Sequence, residues 1–172
     1  MTLLNIRNAG ADDAHAIATI QVDASRAAYA AIVPHGYLER LTVEKRTAVW
    51  TQLISANGEF EQTIVGEDGE RIQAYAHYGR SRDPNAAQTT GELYSLYVAP
   101  DRWRCGLGQQ LLAASIRRLA SMGFDTATLW VLAANTPARQ FYERFRWAPD
   151  GTEKGDEEQI ETRYRIDLSA QL

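Results

Sequence analysis

The chain has 172 residues, 45% apolar and 23% charged, with a formal net charge of −4. That length fits a single domain over residues 1–172 burying about 70% of its unfolded surface, and that charge offers no general attraction for nucleic acid or an anionic membrane. The lone cysteine, Cys105, excludes an internal disulfide, and the opening Met-Thr-Leu-Leu-Asn-Ile-Arg lacks the apolar run of a signal peptide or membrane span, so a cytoplasmic enzyme or binding protein is expected.

Leu3 to Arg7 opens the chain as a short strand. Asp12 then serves as the expected N-cap of a helix in which Ile17, Ile20, Ala24 and Ala28 keep helical spacing, and Thr42 precedes a second helix carrying Val43, Trp50, Leu53 and Ile54. An aromatic, proline-bearing loop is expected between them. Phe60 to Gly66 and Arg71 to Tyr78 are β-rich runs joined by Glu67-Asp68-Gly69-Glu70, a strong hairpin signal. Ser81 to Thr90 is an exposed loop by its composition, leading into a strand from Gly91 to Val98.

Residues 98–112 run from that strand through a glycine-bearing turn into a helix. Gly106 and Gly108 let the backbone approach a ligand closely, and the amides opening the helix at Leu107 lack intrahelical partners, so they can donate to an anion. Arg102 and Arg104 add positive charge there. A turn that merely joins strand to helix also needs glycine, so a structural role stays open for these residues. Two other phosphate motifs fail on spacing: Leu111 stands where G-x-G-x-x-G needs its third glycine, and no Gly-Lys-Ser/Thr run exists.

Leu112, Ile116 and Leu119 share a face of the following helix, which Gly123 ends before a strand from Thr126 to Leu132. This strand–helix–strand crossover puts the turn at the carboxyl end of a strand, where open sheets bind ligands. Asn135 then caps a helix with Pro137 in its first turn and Ala138, Phe141, Tyr142 and Phe145 on one stripe. Asp150 to Glu158 is an acidic, glycine-bearing stretch expected as a solvated loop, without calcium-loop spacing. Ile160 to Leu168 alternates apolar and polar residues as a half-exposed antiparallel strand does. Strands and helices alternating in this way predict a mixed α/β or α+β layer architecture.

The chain resembles the GNAT superfamily of acyl-coenzyme-A-dependent N-acyltransferases at several places. Gly106-Leu107-Gly108 after Val98-Ala99-Pro100 is similar to the family's pyrophosphate-binding motif, Gln/Arg-x-x-Gly-x-Gly/Ala; Asn135-x-x-Ala138-x-x-Phe141-Tyr142-Glu143 is similar to its second conserved block. The opening Ile6-Arg7-Asn8-Ala9 with Asp12-Asp13 resembles its usual amino terminus. Trp103 departs from the pattern, standing where the family commonly has Gln or Arg. The resemblance implies a GNAT-like, mostly antiparallel mixed sheet flanked by helices, with a β-α-β core that binds acetyl-CoA as co-substrate and no metal. It implies main-chain donors from Arg104, Cys105, Gly106, Leu107, Gly108 and Gln109 to the phosphates. Leu96, Tyr97 and Val98 would line the pantetheine arm in the manner of an added strand, with a backbone N–H near Val98 for the carbonyl oxygen. Asn135 would bond the same arm, although its capping role alone accounts for the residue.

Attack of an amine on a thioester needs a proton removed from the ammonium, the carbonyl oxygen stabilised and the thiolate protonated. By family position Tyr142 is the candidate general acid, against packing of its ring in the core, and Glu92 the candidate base, against an ordinary solvated glutamate. Cys105, with no histidine near it in sequence, is structural. His15 and His77 read as ordinary surface or strand residues. The resemblance places the acceptor among the first two helices and their connection, which contain Arg26, Tyr29, Val33, His35 and Tyr37. The expected partner is a small-molecule or peptide amine, not nucleic acid or membrane, and homodimers are common in the family. A non-catalytic acyl-CoA sensor of the same fold is the alternative.

Overall fold

Period-2 runs and amphipathic helices assemble into one seven-stranded sheet with helices on both faces. The computed structural model describes residues 3–56, 58–156 and 159–169. In chain order the elements are β1 (Asn5–Asn8), α1 (Ala14–Tyr29), α2 (His35–Arg40), α3 (Val43–Ser55), β2 (Glu61–Asp68), β3 (Arg71–Arg80), β4 (Thr90–Val98), α4 (Leu107–Ser121), β5 (Thr126–Leu132), α5 (Thr136–Arg144), β6 (Ala148–Lys154) and β7 (Glu161–Asp167). The strands lie in the order β1-β2-β3-β4-β5-β7-β6, and every pairing is antiparallel except β4 with β5. That parallel pair is the predicted crossover, with α4 as its helix.

Strand alternation sends side chains to two separate cores. Ile64, Ala76, Tyr78, Leu93, Leu129, Tyr164 and Ile166 meet Leu111, Leu112 and Leu119 of α4, while Val65 and Tyr75 meet Ile17 and Ala18 of α1 and Trp50 of α3. Burying each such large side chain is worth about 1.5–3 kcal/mol, so the helices are fixed on opposite faces of β3 and β4. These two strands therefore form a rigid floor for anything built on their ends.

Several sequence expectations change in detail. Asp12 is not the cap of the first helix: Ala11–Asp13 form a 3₁₀ turn and α1 begins at Ala14. The reason is Asp13, whose carboxylate accepts from the Gly10 N–H at 2.7 Å and from Arg7 at 2.6 and 3.0 Å, drawing the turn against β1. The proline-bearing connection contains the short helix α2, started by Pro34 with its fixed φ. Of the expected acidic loop from Asp150 to Glu158, Glu157 and Glu158 lie outside the described residues and Gly155 and Asp156 lie outside regular structure, whereas Asp150 to Lys154 belong to edge strand β6. It pairs with β7 through a register shift between Pro149 and Glu153, around Gly151 at φ 85°. Arg163 on β7 anchors it, donating to Asp150 at 2.7 Å and to Thr152 at 2.9 Å. The half-exposed final strand is present as expected, with Thr162, Tyr164, Ile166 and Leu168 buried.

Arg7 also donates to Glu67 on β2 at 2.8 Å, so one guanidinium ties β1, β2 and the turn before α1 together. Its hydrogen bonds hold the Asp13 carboxyl below the usual carboxylate range against the opposing effect of burial. A depressed folded-state value means stability present above the unfolded value and lost on acidification. The Tm difference between wild type and Asp13→Asn, measured by calorimetry, is therefore expected to be widest above about pH 6 and to close between about pH 5 and 3. A difference independent of pH would show that the pair carries no such linkage.

Candidate active site: the fork between β4 and β5

The parallel pair β4–β5 opens into a fork. It is in register at Thr90–Thr126, Gly91–Ala127 and Glu92–Thr128, whereas β4 continues to Val98 and β5 to Leu132. A bulge starts the divergence. His77 pairs with Ser95 and Tyr78 with Leu93, which leaves Tyr94 as the extra residue that bends β4.

Beyond the bulge, the hydrogen-bond directions on β4 are fixed by one contact. The Ala99 N–H donates to Gln73 O on the β3 side at 2.8 Å. Successive strand amides alternate direction, so the N–H groups of Val98 and Leu96 point the other way, into the fork. The Val98 carbonyl accepts from the Trp103 indole Nε1 at 2.8 Å. Trp103, which departs from the expected motif, thus braces the strand end through its ring nitrogen and leaves the amide open.

Where the fork opens, the turn into α4 presents its main chain. Arg104 and Gly106 both sit in the left-handed region, at φ 62° and 82°. Such alternation turns consecutive N–H groups toward one point and makes a nest for an anion. Among the described residues, no main-chain N–H from Arg104 through Gln109 has a hydrogen-bond partner; the first that does, Gln110, donates to Gly106 O. Leu107 and Leu111 bury their side chains and pin the helix start. Arg102 is drawn away into an ion pair with Asp68, so the exposed Arg104 is the cation of the turn. Cys105 is exposed, its thiol donating to Trp103 O at 3.5 Å.

The donor set fits a diphosphate: unpaired amides at a helix N-terminus, a cation beside them and an open strand edge leading away. Gly108 faces Phe141 and Val98, where an added Cβ would lie at 3.4 and 3.5 Å, ordinary contact distances. α4 can therefore lie close to the mouth of the fork with a side chain of one carbon there.

Phenols from four elements converge around the fork. Tyr29 at the end of α1 and Tyr97 on β4 share a hydrogen bond of 3.3 Å, and Tyr97 stacks on Tyr75. Tyr142 of α5 lies near enough to Tyr97 and Tyr29 to interact electrostatically, as does Tyr37 of α2 with Tyr29. Burial pushes the Tyr142 phenol above its ordinary value, with Tyr97 adding to it; a phenol is protonated at neutral pH even without that shift. Val33 is buried and Tyr37 is 41% exposed; the His35 side chain lies outside the described residues. Arg26 points to the Leu41 carbonyl at the end of α2. Asn135 caps α5 through its Oδ1, which accepts from Ala138 N–H at 3.3 Å and leaves its Nδ2 donors available.

Glu92 sits at the apex, where β4 and β5 last pair, and is 2% exposed. It is not a solvated strand-end glutamate: Arg82 donates to it at 2.8 Å through its main chain and at 2.6 and 3.3 Å through its guanidinium. Arg82, Tyr94 and Trp130 went unnoticed in the sequence. The usable signal was the β3–β4 hairpin itself, since its pairing of Gly79 with Glu92 returns the following loop to the glutamate. No group of three His, Cys, Asp or Glu among the described residues is placed to hold a metal ion, and no helix there is long and apolar enough to cross a membrane.

Known proteins share this fold. The model of the GNAT acetyltransferase family matches residues 31–146. The uncharacterised N-acetyltransferase YuaI of Bacillus subtilis (strain 168) is 29% identical over 143 residues, spanning 83% of this chain and 79% of its own. The crystal structure of an N-acetyltransferase from Staphylococcus aureus Mu50 superposes with a TM-score of 0.75 at 25% identity, covering 96% of this chain and 98% of that one. The PaiA N-acetyltransferase of Thermoplasma acidophilum, solved with coenzyme A, shares the fold at a TM-score of 0.74 and 16% identity, over 95% and 99% of the two chains.

The left-handed turn generates a contrast. Gly106→Ala places a Cβ in a conformation costing about 1–2 kcal/mol, and it is expected to weaken coenzyme A binding, measured by calorimetry, by about tenfold. Gly108→Ala is expected to bind within about twofold of wild type. Equal affinity in all three proteins would show that the turn geometry does not hold the ligand.

Proposed function

The chain belongs to the GNAT family of acetyltransferases, and from that premise we propose that it moves an acetyl group from acetyl-coenzyme A directly to a primary amine, with both held together at the fork. The observation that carries this is the row of unpaired main-chain N–H groups from Arg104 through Gln109 beside an unpaired strand edge. Those groups would hold the diphosphate, while Leu96 and Val98 would pair with the pantetheine amides as a neighbouring strand would and Asn135 Nδ2 would add a donor.

Acetyl-coenzyme A brings an activated thioester carbonyl and a thiolate leaving group to the site. The Val98 N–H faces the fork and would stabilise the carbonyl oxygen as charge grows on it. Tyr142, a phenol protonated at neutral pH, would donate its O–H to the departing sulfur. A more basic phenolate makes the phenol a weaker acid in water, so this donation depends on the sulfur anion being equally desolvated. Glu92, the carboxylate at the apex, would take the ammonium proton through water. Holding amine and thioester together contributes most: up to about 7–11 kcal/mol for good alignment.

Tyr29 and Tyr37 would form the acceptor wall on the helical side, where buried Val33 acts through packing, and His35 lies on the same short helix. Aromatic faces and hydroxyls suit an alkyl amine, of a small molecule or a peptide.

The test is thiol release from acetyl-coenzyme A across a panel of polyamines, aminoglycosides, amino acids and peptides. At least one amine is expected to turn over, and Tyr142→Phe to lower kcat by about a hundredfold while coenzyme A still binds. Tight coenzyme A binding without turnover of any amine would favour a non-catalytic acyl-CoA sensor. Failure to bind coenzyme A would contradict the proposal outright.

A further inference from the structure

The loop from Ser81 to Thr89 puts two consecutive, oppositely charged residues across the base of the fork. Arg82 reaches β4: its main-chain N–H donates to Glu92 Oε2 at 2.8 Å, its Nη2 and Nε donate to Oε1 at 2.6 and 3.3 Å, and its guanidinium lies over the Tyr94 ring at 4.1 Å. Asp83 reaches the other arm, accepting from the Trp130 indole of β5 at 3.1 Å and from Arg163 of β7 at 3.0 Å. The pair clips together the strands that part immediately above it.

We propose that Arg82 is a positioning residue for Glu92, which leaves one defined atom of that carboxylate, Oε2, able to take a proton. The inference rests on Glu92 serving as the base. A carboxylate oxygen has two lone pairs. Oε1 already accepts twice and Oε2 once, so the free lone pair belongs to Oε2. Glu92 is 2% exposed while the Arg82 side chain is 63% exposed, so the cation compensates a buried charge from the solvent side. The proton passes from the ammonium along a chain of waters, the last of which gives its proton to Oε2.

Other ionisable groups frame the same site. Glu61 from β2, His77 and Arg80 from β3 and Tyr94 from β4 interact with Arg82 or with the Tyr94 phenol beside it. Burial holds His77 below the usual imidazole range, and Nδ1 meets Thr63 while Nε2 meets Glu61, so it is neutral near pH 7 and its ring nitrogens are engaged. Among these groups Arg82 is the cation that hydrogen-bonds Glu92. Its removal would leave a buried carboxylate without charge compensation, favouring the protonated form.

The direct measurement is carboxyl ¹³C NMR titration of Glu92, assigned by its loss in Glu92→Gln. In Arg82→Gln the titration midpoint is expected to rise by about one pH unit or more, and Arg82→Lys, which keeps charge but not the planar fork, to show a smaller rise. The acid limb of kcat/KM for a panel amine should move by the same amount, a fall of about tenfold at pH values below the limb. Coenzyme A affinity should not change. An unshifted Glu92 titration in a folded Arg82→Gln protein would overturn the inference, and so would a shifted titration with an unmoved acid limb of kcat/KM, the result a merely structural arginine would give. If the titration shifts but Glu92→Gln keeps wild-type turnover and its acid limb, Glu92 is not the base, and both that assignment and the positioning role fall. Should Arg82→Gln not fold, Arg82→Lys still decides the matter by whether its midpoint moves.

Discussion

Everything at the site depends on unpaired main-chain hydrogen-bonding groups held in place by packing that they do not contribute to. A helix leaves its first amides without intrahelical partners, and a strand that parts from its neighbour leaves a free edge. Here the two meet: α4 starts where β4 has separated from β5. Leu107, Leu111 and Leu112 below the turn, and Tyr75 and Tyr78 below the strand, are buried so completely that the open groups cannot move away to find partners. Two cores on opposite faces of one sheet thus maintain a polar gap at its edge.

The same constraint explains the local departures from ideal structure. The bulge at Tyr94 diverts β4, the left-handed backbone at Arg104 and Gly106 turns the amides, and the Trp103 indole secures the Val98 carbonyl. A non-glycine residue at φ 62° is strained in isolation and persists where its surroundings over-determine it. Each of these features lies within the segment that runs from the apex of the fork to α4. The charged residues follow a related logic, because Glu92 is buried at the apex only with Arg82 bound to it, and an unpaired carboxylate there would be costly.

The parts legible in the sequence were those with local causes. The Asn135 cap with Pro137 after it, the period of α4 and the Asp68-Gly69 hairpin each follow from neighbours in the chain, and each lies where expected. What escaped were features set by distant partners. β6 looks like a loop because an exposed, bulged edge strand has no alternation to display, and its structure comes from pairing with β7. α2, of six residues, is too short for a periodic signal. Glu92 resembles a solvated strand end until the β3–β4 hairpin brings Arg82 onto it. The splaying of β4 from β5 leaves no mark on composition or spacing, although it decides where a ligand can enter.

In the function proposed above, main-chain nitrogens of the turn into α4 would grip the diphosphate of coenzyme A. The most direct test of that grip is a titration of ¹⁵N-labelled protein with coenzyme A, followed amide by amide. The resonances of Arg104 through Gln109 should shift most strongly and their hydrogen exchange should slow. Saturable binding that leaves those amides unmoved, with the changes concentrated elsewhere, would contradict it.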